Sequence, residues 1–135
     1  MTSRATILIA DDNELVRSSL TRLLEASGFR VLTAESGQAA IDLLGKNGSS
    51  IDCALIDLSM PEISGEQVIV ALRKMGSDIP ILIMSGYPPD LMDPLLSAIG
   101  SHEYLQKPFG HDELIASLQT LLPHLSGSAD VNDAD

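Results

Sequence analysis

Short apolar runs alternate with helical patterns along this chain, and this alternation constrains the fold more than any other feature of the sequence. The runs lie at residues 6–10, 29–34, 51–58, 79–84 and 103–106. The three strongest, TILIA, IDCALIDL and IPILIM, are rich in Ile and Leu and mostly lack a polar alternation. Such runs are typical of strands that helices cover on both faces. We therefore predict five strands, the last of them a short edge strand.

Between the strands, apolar residues recur with the period of a helix. Helices are predicted at residues 14–26, 36–44 and 112–122, and another opens at Ser64 and ends before Gly76. Asp93 and Pro94 indicate the start of a short helix at 94–99. A β-α unit repeated five times predicts an α/β fold, with a doubly wound five-stranded parallel sheet and helices on both faces.

The composition is strongly acidic, since 19 Asp and Glu against 8 Lys and Arg give a formal charge of −11. This charge argues against direct binding to nucleic acid or to an anionic membrane. The single cysteine, Cys53, excludes an internal disulfide, and no apolar run approaches the roughly 20 residues of a membrane span. The N-terminus lacks the pattern of a signal peptide. We expect a cytoplasmic domain at residues 1–125 and a disordered acidic tail at 126–135.

Polar side chains stand at the ends of four predicted strands. Asp11 and Asp12 follow the first strand and Asp57 ends the third. Ser85 ends the fourth and Lys107 follows the fifth. Ligands of a doubly wound sheet bind outside the carboxyl ends of the strands, so we expect these groups to form one site.

Three neighbouring carboxylates repel one another, and a hard divalent cation such as Mg²⁺ removes that conflict. Capping of the first helix would need only one aspartate, and Asn13 is available for it. A cation, an ammonium group and a hydroxyl around a carboxylate suit phosphoryl transfer, in which the carboxylate can be the nucleophile. The strand ends therefore predict Mg²⁺-dependent phosphoryl chemistry.

Four sequence segments carry these groups in order along the chain. They are ILIADDNELVR, DLSMPEISG around Asp57, LIMSG at Ser85, and EYLQKPF around Lys107. With them, residues 5–122 resemble the receiver domain of two-component response regulators. The resemblance implies the flavodoxin-like strand order 2-1-3-4-5.

The resemblance also implies a role for each acidic residue. Asp57 would accept the phosphoryl group. Asp12 would bind Mg²⁺ directly, Asp11 would assist through water or hydrogen bonds, and the backbone carbonyl of Ser59 would be a further ligand. Asp57 would complete this metal site.

The remaining implied roles concern the phosphoryl group and the switch. Ser85, the amide of Gly86 and Lys107 would hold the phosphoryl group, and the Lys107–Pro108 bond would be cis. The ring of Tyr104 would rotate when Ser85 moves toward the phosphate. We expect residues 87–100 to be the element that changes.

The implied function is a signalling module that is not itself an enzyme, apart from Mg²⁺-dependent self-phosphorylation by small donors and autodephosphorylation. Its partners would be a sensor histidine kinase or a histidine phosphotransfer protein, and an unknown downstream protein. It would be a monomer or a weak homodimer. No output domain is expected after Leu122. The segment SGYPPD is similar to receivers associated with histidine kinases, so a stand-alone regulator, a relay and a part of a larger kinase all stay open.

Two other functions share part of this pattern. A phosphatase of the haloacid-dehalogenase type needs two aspartates separated by one residue after the first strand, whereas here they are adjacent. A flavodoxin-like FMN carrier needs a hydroxyl-rich phosphate loop there. The acidic segment DDNE would repel the FMN phosphate.

Overall fold

Five parallel strands form one sheet with helices on both faces. The computed structural model describes residues 5–47, 50–88 and 102–122. The strands are β1 (Thr6–Ala10), β2 (Arg30–Ala34), β3 (Cys53–Asp57), β4 (Ile81–Ser85) and β5 (His102–Gln106). The helices are α1 (Glu14–Ala26), α2 (Gly37–Asn47), α3 (Gly65–Lys74) and α4 (His111–Leu121). The strand order is β2-β1-β3-β4-β5. The predicted doubly wound fold is confirmed.

Alternate residues of the central strands enter two separate cores. Leu8, Ile56 and Ile83 belong to the core that includes buried residues of α2 and α3. Ile7 and Leu55 belong to the core that includes buried residues of α1 and α4. Because every residue of β3 and β4 is buried, these two strands lack the polar alternation of a one-sided sheet.

Polar side chains cap the N-termini of α1 and α2. Asn13 Oδ1 accepts a hydrogen bond from the Val16 amide at 3.1 Å, and Ser36 Oγ accepts one from the Ala39 amide at 3.1 Å. Gly76, just beyond the end of α3, has a φ of 85°, which a side chain would disfavour. The ends of the helices are thus set by local hydrogen bonding and backbone freedom.

Several predicted boundaries differ from the structure. Helix α2 continues to Asn47, three residues beyond the predicted end at Leu44. Strand β3 is shorter than the predicted run of residues 51–58, although Ile51 and Leu58 beyond its ends are also buried. The predicted helix at 94–99, most of segment 87–100 and the tail at 126–135 lie outside the described residues.

Cys53 begins β3 and is fully buried. Burial is the main cause that raises the pKa of its thiol to about 12, so the thiol stays protonated at neutral pH. Cys53 is therefore a small, buried residue of the core. Within the described residues, the helices are too short or too polar to cross a membrane.

Candidate functional site

Three buried polar side chains lie at the carboxyl ends of neighbouring central strands. Asp11 follows β1, Asp57 ends β3 and Ser85 ends β4, and their exposed fractions are 1%, 3% and 0%. Within the described ranges they are the polar or charged residues that fall in the buried class. Burial of two carboxylates at one sheet edge is unfavourable unless something compensates their charge.

Asp12 completes a group of three carboxylates. It is exposed, and it contributes an oxygen that lies within 4.8 Å of oxygens from Asp11 and Asp57. The prediction that these three side chains come together at one edge of the sheet agrees with this geometry. One carboxylate is therefore open to solvent while two are held inside.

Lys107 supplies positive charge to the buried pair. Its Nζ lies 3.3 Å from Asp57 Oδ2 and 3.7 Å from Asp11 Oδ2. The Lys107 side chain is 32% exposed and is therefore partly open to solvent. The end of β4 helps to place it, since the Lys107 amide donates to the Ser85 carbonyl at 2.7 Å. The Lys107–Pro108 bond is cis.

Asp57 is held by its own loop as well as by Lys107. Its Oδ1 accepts a hydrogen bond from the Ser59 amide at 3.1 Å. Desolvation raises the pKa of Asp57 above its ordinary value, and the nearby Asp11 charge adds to this rise. The Ser59 amide and Lys107 act in the opposite direction. The net result is that the pKa of Asp57 is higher than that of an aspartate in water.

The two carboxylate oxygens of Asp11 differ in their hydrogen bonding. Its Oδ1 accepts from the Asn13 amide at 2.9 Å, whereas its buried Oδ2 accepts no hydrogen bond from the described residues. A buried carboxylate oxygen without a donor is costly. Together with the oxygens of Asp12 and Asp57, it offers the hard, negatively charged ligands that Mg²⁺ prefers. The residues present fit a divalent cation.

Ser85 and Tyr104 are both hydrogen-bonded to the backbone of one residue, Tyr87. Ser85 Oγ accepts from the Tyr87 amide at 3.0 Å, and the Tyr104 hydroxyl donates to the Tyr87 carbonyl at 2.6 Å. Tyr104 also packs against the core beneath α2 and α3. Gly86 lies between Ser85 and Tyr87 in the sequence. It is exposed, and a Cβ added to it would meet nothing within 4 Å.

Gly65 lies against the backbone that carries Asp57. The sequence predicts only the start of a helix at this position. A Cβ at Gly65 would lie 2.5 Å from the Asp57 carbonyl oxygen and 2.7 Å from Leu58 Cα. The beginning of α3 therefore presses directly on the backbone that carries Asp57. The segment DLSMPEISG contains this glycine, but only the folded geometry shows which backbone it meets.

Comparison with known proteins gives a consistent result. A family model described as the response regulator receiver domain matches residues 7–119. A response regulator MprA from Mycobacterium sp. (strain KMS) is 36% identical over 122 residues, which are 89% of this chain and 51% of that protein. The chain thus spans about half the length of the curated relatives it matches.

Solved structures share the fold over nearly the whole chain. The receiver domain of Francisella response regulator 1452 is 30% identical with a TM-score of 0.81, covering 90% of this chain and 98% of that one. The response regulator TrrA from Thermotoga maritima, in complex with Mg²⁺ and BeF, is 30% identical with a TM-score of 0.77. That match covers 87% of this chain and 99% of TrrA.

Proposed function

This chain belongs to the response regulator receiver domain family of two-component systems, and we propose that it is switched by transfer of a phosphoryl group to Asp57. One observation carries the proposal. Asp57 is a buried carboxylate at the end of a central strand, 3.3 Å from the ammonium group of Lys107 and grouped with oxygens of Asp11 and Asp12. The surroundings provide both a nucleophile and the charges that phosphoryl transfer needs.

In the proposed reaction, a carboxylate oxygen of Asp57 attacks the phosphorus of a phosphohistidine. A new O–P bond forms, the P–N bond breaks, and the released imidazole takes up a proton. Desolvation of Asp57, the main cause of its raised pKa, leaves fewer hydrogen bonds to water for the attacking oxygen to lose. Hydrolysis of the O–P bond by water returns the carboxylate.

Mg²⁺ would be held by Asp11, Asp12, Asp57 and the Ser59 carbonyl. When bound, it would neutralise negative charge on the phosphoryl oxygens. TrrA, a relative in the solved structures, was crystallised with Mg²⁺ and BeF, which supports this assignment. Lys107 already faces Asp57 and would hold a second phosphoryl oxygen through its ammonium group.

Ser85 and Tyr104 would report the modification. Ser85 Oγ accepts a hydrogen bond from the Tyr87 amide. Within the described residues its O–H is not assigned to an acceptor, so it would donate to a phosphoryl oxygen, as would the Gly86 amide that follows it in the chain. Because the carbonyl of the same residue, Tyr87, accepts a hydrogen bond from Tyr104, a shift of Ser85 would change the environment of that ring through the Tyr87 backbone. The changed surface would bind a downstream protein.

The proposed donor is a sensor histidine kinase or a histidine phosphotransfer protein in the cytoplasm. Small donors such as acetyl phosphate would also phosphorylate the protein when Mg²⁺ is present. The protein would act as a monomer or a weak homodimer.

Incubation with acetyl phosphate and Mg²⁺, followed by intact-protein mass spectrometry, tests the proposal. The wild type and the control Asp42→Ala, which removes an exposed carboxylate on α2, should each gain one phosphoryl group. Asp57→Ala should gain none. Equal labelling of Asp57→Ala and the wild type would refute the assignment of Asp57.

A further inference from the structure

Arg17 makes a contact with the site that the proposed roles leave unused. It lies in α1, and its Nη1 donates a hydrogen bond to the main-chain carbonyl of Asp11 at 2.7 Å. The side chain therefore turns back from the helix to the end of β1. Arg17 is half-buried, so this contact is partly shielded from water.

This bond completes the fixation of Asp11. The Asp11 amide donates to the Ala34 carbonyl at 3.2 Å, and Asp11 Oδ1 accepts from the Asn13 amide. With Arg17 on the carbonyl, Oδ2 is the one polar atom of Asp11 that has no hydrogen bond within the described residues. These three bonds fix Asp11 without using Oδ2, whose nearest cation in the described residues is the Lys107 ammonium group at 3.7 Å.

The carbonyl that Arg17 binds belongs to the peptide group that joins Asp11 to Asp12. Because a peptide group is planar, fixing its oxygen also fixes the amide nitrogen of Asp12. Both carboxylates of the pair thus start from a backbone that one guanidinium group holds. A side chain that fixes two neighbouring ligands reduces the conformational freedom that binding would otherwise remove.

Arg17 does this without occupying the carboxylates. Across the described ranges, the ion pairs within 4.0 Å that involve the three aspartates are both made by Lys107. A guanidinium group that bound the carboxylates would compete with a cation for the same oxygens. Arg17 binds the peptide instead and does not occupy any of those oxygens.

We infer that Arg17 is a positioning residue for the divalent cation site, acting through the Asp11–Asp12 peptide. This inference rests on the proposed function. It predicts a change in Mg²⁺ affinity opposite to the change that charge repulsion between Arg17 and the cation would give. If Arg17 acted only through its charge, its removal would strengthen Mg²⁺ binding, whereas loss of positioning weakens it.

Titration of the ¹⁵N-labelled protein with MgCl₂ at constant ionic strength, followed by NMR of the amides, measures the Kd directly. Arg17→Met should weaken Mg²⁺ binding by about 10-fold, the scale seen when residues that orient metal ligands are removed. Arg17→Lys keeps the charge and one donor, and it should recover part of the affinity. Arg22→Met removes an exposed arginine of the same helix and should leave the Kd unchanged.

The Asn13 amide gives a second readout. Its bond to Asp11 Oδ1 should loosen in Arg17→Met, so its hydrogen exchange should become faster than in Arg22→Met. Thermal unfolding shows whether each variant is folded, and Arg17→Gln replaces Arg17→Met with the same expectation if the latter does not fold.

Mg²⁺ affinity in Arg17→Met equal to or tighter than in the wild type would overturn the inference. The proposed function fails in a different way, when the wild type binds no Mg²⁺ or carries no phosphoryl group on Asp57. A wild type that does both, beside an Arg17→Met variant with unchanged Kd, would remove the role of Arg17 alone.

Discussion

The ammonium group of Lys107 lies 3.3 Å from Asp57 Oδ2, although 50 positions separate the two residues in the sequence. The parallel sheet produces this proximity, since Asp57 ends β3 and Lys107 follows β5 on the same edge. The pair combines the proposed nucleophile with the charge that would stabilise its product.

Replacement of Lys107 by Met should raise the pKa of Asp57 further. Lys107 lowers this pKa through its charge and hydrogen bond, so its loss leaves desolvation and the Asp11 charge less opposed. Carbon-detected NMR of the aspartate carboxyl groups across a pH series measures the effect. The control Lys46→Met removes an exposed lysine of α2. A lower pKa in Lys107→Met than in this control would contradict the ion pair.

The raised pKa of Asp57 also makes a prediction about stability. A carboxyl whose folded pKa exceeds its unfolded value binds more protons in the folded state, so it destabilises the fold at neutral pH and this cost disappears as the pH falls through the folded pKa. Asp57→Asn should therefore be more stable than the wild type at pH 7, and this difference should shrink at low pH. Urea unfolding at pH 7 and near the ordinary value of 3.8 tests this. A constant difference between the two proteins at both pH values would be inconsistent with it.

Substitution of two polar residues at the strand ends should change Mg²⁺ affinity to different extents. Asp12→Ala should weaken Mg²⁺ binding far more than Ser85→Ala, by a factor of about 10 or more, because the carboxylate is a hard charged ligand. Calorimetric titration with MgCl₂ gives both constants. Similar Kd values for wild type and Asp12→Ala would remove Asp12 from the site.

Gly65 should be intolerant of any side chain. The Cβ of Gly65→Ala would meet the backbone of Asp57 and Leu58, which cannot rotate away, so we expect a loss of about 1–3 kcal/mol. Gly45→Ala is the control: it lies inside α2, its nearest contact would be 3.9 Å away, and it should stabilise the helix by about 0.5–1 kcal/mol. Urea unfolding of both variants checks this. Equal stabilities of Gly65→Ala and wild type would show that the helix start can shift.

The sequence predicts most of the fold because the apolar runs are short and strongly patterned. TILIA predicts β1 at its observed bounds. Helix α2 is predicted to end at Leu44, yet it continues through Gly45 to Asn47. Single-residue patterns cannot reveal that packing continues the helix past such a glycine.

The site is predictable to the extent that it stands at strand ends. Asp11, Asp57 and Ser85 follow buried runs, so the topology alone brings them to one edge. Arg17 and Gly65 carry no such signal. The role of Arg17 depends on its 2.7 Å hydrogen bond to the Asp11 carbonyl. That of Gly65 depends on how close the Asp57 backbone lies, since an added Cβ would be 2.5 Å from it. Both relationships arise only after folding.

The most direct test of the central claim is to locate the phosphoryl group in the chain. The protein is phosphorylated by a phosphohistidine-bearing kinase domain with Mg²⁺, reduced with borohydride so that an aspartyl phosphate becomes homoserine, digested, and sequenced by tandem mass spectrometry. We expect homoserine at position 57, with none at 11 or 12. Homoserine at another position, or unmodified Asp57 in protein that carries the label, would contradict it.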